Sequence, residues 1–155
     1  MLNPCDLPVH AVEADGVLIS TDRSLLDLDM IFSFLSSAYW CEGITREQVE
    51  RQLGASLTFG LYVDGEQRGF CRVLTDLTRF AYLADVLVPD QYQGQGYGRR
   101  LVRAAMDHPE LRDVNRWLLA TRDAHGVYGP CGFEPLGKPE MWMECKQPKD
   151  ERRWR

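Results

Sequence analysis

The chain has 155 residues, 45% of them apolar, which suits one domain with a sizeable core and excludes a disordered chain. With 18 Lys and Arg against 23 Asp and Glu the net charge is −5, so the basic excess that a nucleic-acid backbone demands is missing. No apolar stretch approaches the roughly 20 residues that span a bilayer, and Met1-Leu2-Asn3-Pro4-Cys5-Asp6 does not read as a signal peptide. The expectation is a soluble cytoplasmic protein with neither nucleic acid nor membrane as partner.

The first predicted strand is Val17-Leu18-Ile19-Ser20-Thr21, with Asp22 placed to cap a helix after it. In that helix Leu25, Leu28, Ile31, Phe32, Leu35, Ala38 and Tyr39 recur at the spacing of one face. Thr45 with Gln48 three residues on predicts a capping box and a second, short helix. Leu57, Phe59, Leu61 and Val63 alternate up to Asp64-Gly65, a hairpin dipeptide, and a return strand runs around Phe70 to Leu74. Phe80 to Val88 is apolar on both faces except at Asp85, as in a central strand. After a glycine-rich loop, Leu101, Val102, Ala105 and Met106 mark a helix ending near His108-Pro109, and Trp117 to Ala120 reads as a buried strand. The order is β-α-α-β-β-β-α-β-α-β, a mixed α/β sheet with one β-α-β crossover. Residues 1–145 make one domain. Residues 146–155, with five Lys and Arg against two Asp and Glu, form a basic tail expected to fray.

Five cysteines without a C-x-x-C pair argue against a disulfide framework or a zinc site, and Cys71 and Cys145 are expected in the core. His10, His108 and His125 are too dispersed to suggest a metal cluster, so no metal is expected.

The most informative stretch is Gln93-Gly94-Gln95-Gly96-Tyr97-Gly98-Arg99, which leaves a strand and enters a helix. Glycines there let consecutive amide N–H groups converge at the positive end of a helix dipole, an anion site suited to a pyrophosphate. They serve a purely structural turn equally well. The dinucleotide spacing G-x-G-x-x-G fails, because Arg99 or Leu101 falls where the third glycine belongs, and no Gly-Lys-Ser/Thr exists for a triphosphate loop.

Gln93-x-x-Gly96-x-Gly98 does fit, and resembles the [Q/R]-x-x-G-x-[G/A] signature of the GNAT superfamily of acyl-CoA-dependent N-acyltransferases. About 30 residues on, Ala124-x-x-x-Tyr128-x-x-x-Gly132-Phe133 resembles that family's A-x-x-x-Y-x-x-x-G-F. The element order also matches, so the resemblance covers residues 16–145, and Leu119-Ala120-Thr121-Arg122-Asp123-Ala124-His125-Gly126-Val127-Tyr128 looks like a subgroup of small members with largely unassigned substrates.

The resemblance implies a central mixed, mostly antiparallel sheet of six to seven strands flanked by about four helices, and acetyl-CoA as cosubstrate. It implies that Val86, Leu87 and Val88 splay from their neighbour and pair with the pantetheine arm, and that the amides of Gly94, Gln95, Gly96, Tyr97 and Gly98, beside Gln93, hold the pyrophosphate with Arg99 adding charge. Thr121 stands where many members carry an asparagine that holds the pantetheine, next to Ala124. Tyr128 matches the tyrosine that protonates the leaving thiolate, a role suited to a phenol, which keeps its proton at neutral pH. It also suits a core tyrosine packed on Phe133.

An alkyl ammonium must lose a proton before it attacks. Asp85, the single carboxylate in its strand, is the candidate acceptor of that proton, unless backbone amides hydrogen-bond it as a structural group; a water chain could replace it, and His125 is a second candidate. Tyr39, Trp40 and Glu42 fall in the loop that contacts substrate in this family, and with His125 they are the substrate-binding candidates. Two π faces beside a carboxylate suit a small cationic amine. Direct attack in a ternary complex is preferred to an acyl-enzyme, although Cys131 near Tyr128 keeps the latter open. Gly129-Pro130-Cys131 interrupts the helix usual after the tyrosine, which leaves a non-catalytic acyl-CoA-binding module as the alternative. Edge strands in such folds often pair, so a homodimer is possible.

Overall fold

Aspartate followed by glycine makes two of the turns that organise the chain, since both residues tolerate the positive φ of a tight hairpin. In the computed structural model, which describes residues 2–146, Asp64 and Gly65 take φ of 52° and 78° and join β3 (Leu57–Val63) to β4 (Glu66–Thr75). Asp15 and Gly16, at 53° and 74°, join β1 (Ala11–Ala14) to β2 (Val17–Ser20) in the same way. The sequence reading missed that first strand, whose four residues are all exposed and carry no alternation.

Asp22 caps a single 3-10 turn, Arg23–Leu25, instead of the predicted helix. The helix proper, α1 (Leu28–Ser37), is capped by Asp27, whose carboxylate accepts from the Met30 N–H at 3.0 Å. Its inward face is Ile31 and Leu35, continued by Ala38, while Leu25 and Tyr39, predicted on that face, are exposed. Thr45 and Gln48 form the predicted capping box at the start of α2 (Arg46–Gly54). After β5 (Phe80–Leu87) come α3 (Tyr97–Met106), β6 (Arg116–Leu118) and the single turn α4 (His125–Tyr128).

The six strands lie in sequence order in one sheet, antiparallel throughout except for the parallel pair β5–β6. Two apolar layers sandwich it. Phe59, Leu61, Cys71, Val73, Ala81 and Leu83 pack beneath Leu101, Val102 and Ala105 of α3, whereas Phe70 and Leu87 pack against Ile31, Leu35, Val49 and Leu53 of α1 and α2. Burial of these side chains, at about 25 cal/mol per Å² of apolar surface, is the main stabilising term.

Three expectations are corrected near the C-terminal end. β6 is three residues long and half-buried rather than the buried strand Trp117–Ala120, because it pairs on one edge alone. Among the described residues no strand follows α4; residues 132–142 and β6 instead line a cleft of about 710 Å³ that includes Trp117, Phe133, Leu136 and Trp142, and the Arg116 guanidinium lies 5.6 Å from the centre of the Trp142 ring. Cys145 is exposed, whereas Cys71 is buried as expected. The predicted tail lies outside the described residues except for Lys146.

His108 closes the α3 layer, 2% exposed, with Nδ1 accepting from the Glu110 N–H at 3.1 Å and Nε2 buried without a partner. Burial lowers its pKa below the ordinary 6.5, the nearby His10 lowers it further, and Glu110 opposes them. A base held neutral in the folded state destabilises that state in acid: below 6.5 the unfolded chain takes up a proton that the folded chain refuses. Urea unfolding should therefore show stability falling from pH 7.5 to 5.5, and His108→Asn should reduce that fall.

Candidate active site

The centre of the site is a fault in β5. Phe70 pairs with Leu87 but Arg72 pairs with Ala84, so β5 carries one more residue than β4 between these pairs. Asp85 absorbs the excess with φ of +51°, a conformation that aspartate tolerates better than bulkier side chains. The bulge resets the strand's alternation. Ala81 and Leu83 face α3, yet Leu87 faces α1 and α2, and Asp85 turns its carboxylate to that second side.

There the carboxylate is 5% exposed and ion-paired with Arg72, whose Nε donates to Oδ2 at 2.6 Å. Trp40 Nε1 donates to Oδ1 at 2.9 Å, and Arg72 also donates to Ser56 Oγ at 3.0 Å. Ser56 is held in turn: its carbonyl accepts from Arg23, which also bonds the Leu53 carbonyl at the end of α2. Asp85 is thus fixed by side chains from β4 and from the α1–α2 loop rather than by backbone amides. Sequence reasoning missed Arg72. The signal was present, because Arg72 alternates with Phe70 and Leu74, and a charge on an inward face needs a partner.

Beyond Tyr82 the outer edge of β5 has no strand partner among the described residues, since β6 pairs only with Phe80, Ala81 and Tyr82. The backbone of Val86, Leu87 and Val88 therefore runs along an open edge. The chain then makes a 3-10 turn at Asp90–Tyr92 and passes Gln93, whose side-chain amide donates to the Val88 carbonyl at 3.0 Å and to Asp90 Oδ1 at 3.2 Å. Gln93 braces the loop from within. Gly94 and Gly96 take φ of 82° and 80°, and a Cβ on either would meet open space, so backbone conformation and not crowding selects glycine. Gly96 caps α3 without a side-chain bond. The first N–H groups of α3, at Tyr97, Gly98 and Arg99, have no partner within the helix, at the positive end of its dipole. Gln95 accepts from the hydroxyl of the buried Tyr97, which anchors the turn, and Arg99 is exposed.

Tyr128 approaches from α4. Its ring meets Phe133 edge-on at 6.1 Å, and the Phe133 N–H donates back to the Tyr128 carbonyl at 3.2 Å across Gly132 at φ 99°. Gly129-Pro130-Cys131 does shorten the helix: α4 is one turn, prolonged by a 3-10 turn, and Arg103 of α3 donates to the Pro130 carbonyl at 3.4 Å. Burial pushes the Tyr128 phenol up to about 12, with smaller contributions from Cys71, Cys131 and Tyr39. The hydroxyl therefore holds its proton throughout the neutral range. Cys131 Sγ lies 3.6 Å from the Val127 carbonyl and 3.9 Å from that of Arg99, turned into the α3–α4 contact.

The remaining candidates distribute as follows. Thr121 Oγ1 accepts from the Ala124 N–H at 3.0 Å and so sets the start of α4. His125, the first residue of α4, is exposed. Tyr39 and Trp40 sit in the 3-10 turn after α1, about half exposed and edge-to-face at 5.0 Å, and exposed Glu42 follows that turn. The cation on Tyr39 is a protein group that sequence reasoning did not single out, the guanidinium of Arg122, 3.9 Å from the ring centre. No group of three or more His, Cys, Asp or Glu among the described residues is placed to hold a metal ion, and no helix among them is long and apolar enough to cross a membrane.

Comparison with known proteins agrees with this geometry. Residues 25–133 match the Acetyltransferase (GNAT) family. A curated protein of Gibberella zeae that carries a provisional acetyltransferase name is 32% identical over 136 residues, covering 72% of this chain and 75% of its own. A crystal structure from Xanthomonas campestris pv. campestris, assigned provisionally to the same family, superposes with a TM-score of 0.82 at 43% identity, covering 88% of this chain and 96% of its own. A protein of Clostridium acetobutylicum with a provisional acetyltransferase assignment, solved with acetyl-CoA, shares the fold at a TM-score of 0.59 and 12% identity, over 90% of this chain and 96% of its own. With a family match over most of its length and the open β5 edge, glycine turn and tyrosine in their expected order, the chain belongs to the GNAT family of acetyltransferases.

Proposed function

We propose that the protein transfers an acetyl group from acetyl-CoA to a primary amine of a small molecule, by direct attack in a ternary complex. The observation that carries this reading is the convergence of three features: an unpaired strand edge, an uncapped helix N-terminus and a phenol that keeps its proton. The first two fit the cosubstrate on their own evidence. The edge of Val86 to Val88 leaves backbone groups for amides to pair with, and the turn at Gly94 and Gly96 is open where a Cβ would project.

In this reading the amides of Gly94 to Gly98 and the Arg99 side chain hold the pyrophosphate, assisted by the helix dipole. Val86, Leu87 and Val88 pair with the pantetheine arm, and Gln93, Thr121 and Ala124 fix the backbone on either side of it. Bound acetyl-CoA supplies a thioester whose sulfur must leave as thiolate or thiol. Tyr128 Oη holds the proton for that sulfur, and Phe133 keeps the ring oriented. Asp85 stands on the acceptor's side: after Trp40 and Arg72 are bound, each carboxylate oxygen retains a lone pair to accept from the ammonium and relay its proton to water. Tyr39, Trp40, Glu42 and His125 line the acceptor's approach.

A time course of free-thiol release from acetyl-CoA with a panel of primary amines tests the reading. Turnover far beyond one equivalent is expected. Binding of acetyl-CoA without turnover would replace it with an acyl-CoA-binding module, the outcome to which the short α4 would then be traced.

A further inference from the structure

Arg122 leaves β6 on the loop to α4, and its guanidinium carbon lies 3.9 Å from the centre of the Tyr39 ring. A contact that close uses the flat face of the guanidinium and leaves the N–H groups at its edge directed away from the ring. Asp123, its acidic neighbour in sequence, stands 3.8 Å off with both side chains largely exposed, too far for a hydrogen bond. The fork of donors is therefore held in orientation by Tyr39, and its one acidic contact among the described residues is this exposed, solvent-screened ion pair with Asp123.

Arg122 also belongs to a row. Tyr39 meets Trp40 at 5.0 Å, and Trp40 donates to Asp85 at the β5 bulge. The row runs from the loop before α4 to the bulge at the open end of β5. Its two ends make opposite demands. Asp85 offers carboxylate lone pairs, and Arg122 offers a rigid set of donors that matches planar or tetrahedral oxyanions. A molecule bearing only positive charge satisfies the first end and is repelled by the second.

We propose that the acceptor carries an oxyanion group, a carboxylate or a phosphate, on the same small molecule as its amine, and that Arg122, stacked on Tyr39, is the residue that selects it. This rests on the acetyl-transfer reading and narrows its acceptor from amines in general to amino acids or amino phosphates. Arg122 acts here as a specificity-determining residue.

The test uses matched acceptors with the intact protein and saturating acetyl-CoA: L-α-amino acids against their decarboxylated amines, and O-phosphoethanolamine against ethanolamine. In at least one pair the oxyanion-bearing member should have the higher kcat/KM by about tenfold or more, the scale of a charge-assisted hydrogen bond. Which pair shows it separates carboxylate from phosphate. Arg122→Gln should collapse that ratio through KM, and Arg122→Glu should invert it. A wild-type preference for the plain amines, a ratio unmoved by Arg122→Gln, or no turnover of any oxyanion-bearing acceptor would overturn the proposal. Acetyl-CoA binding measured alongside separates these results from a failure of the acetyl-transfer reading, which would show as absent binding.

Discussion

Tyr128→Phe should lower kcat by about a hundredfold or more, the usual contribution of a positioned proton donor, while leaving the KM for acetyl-CoA and the melting temperature close to wild type. The variant removes one oxygen and keeps the edge-on contact with Phe133 at 6.1 Å, so folding and the α3–α4 contact are preserved. Steady-state kinetics with calorimetric melting distinguish this from a packing role, in which stability would fall and kcat would not. The pH dependence gives a second check. With the phenol pushed up to about 12 by burial, no loss of activity between pH 7 and 9 should be traceable to Tyr128, because the donor stays protonated there.

Arg72→Met should destabilise the protein by about 3 kcal/mol, because removing one member of a buried pair leaves the other charge uncompensated. The Asp85 side chain is 5% exposed and would keep only Trp40 as a side-chain partner. For a chain of this length that loss corresponds to roughly 6–12 °C in melting temperature. The double variant Arg72→Met/Asp85→Asn should recover much of it, since asparagine removes the charge and still tolerates the +51° φ of that position. Urea unfolding of the single and double variants measures both effects. A single variant within about 1 kcal/mol of wild type would show that the pair contributes little to the bulge.

What the sequence made legible follows from how local each cause is. The Thr45–Gln48 box and the Asp64-Gly65 hairpin are complete within a few residues and form as read. The same dipeptide at Asp15-Gly16 went unread because β1 is exposed on every residue and shows no alternation. Asp22 and Asp27 are both competent caps, and only tertiary packing of Ile31 and Leu35 decides that the helix starts from the second. At the C-terminal end the last strand of the predicted order does not form among the described residues, where β6 offers only three residues of half-buried strand to pair with.

The site divides along the same line. The glycine turn and Tyr128 announce themselves by spacing, since their work requires fixed offsets from a strand end and a helix start. The Asp85 bulge has no local signature, because aspartate at positive φ looks like any other aspartate until Arg72 and Trp40 are seen to hold it. Arg122 was invisible for a related reason: its partner Tyr39 lies 83 positions away in sequence, and stacking across two loops leaves no periodicity to detect.

Thermal unfolding of wild type and Gly96→Glu with acetyl-CoA, ATP or NAD asks whether the open β5 edge and the glycine turn bind acetyl-CoA. Glutamate at φ 80° strains the turn and places a carboxylate beside the amides meant for a pyrophosphate. At 100 times its dissociation constant acetyl-CoA should add about 2.7 kcal/mol, a rise of roughly 5–10 °C. That rise is expected for wild type with acetyl-CoA alone, and none for Gly96→Glu relative to its own unliganded melting. No shift of the wild type at millimolar acetyl-CoA, or an equal shift in the variant, would contradict it.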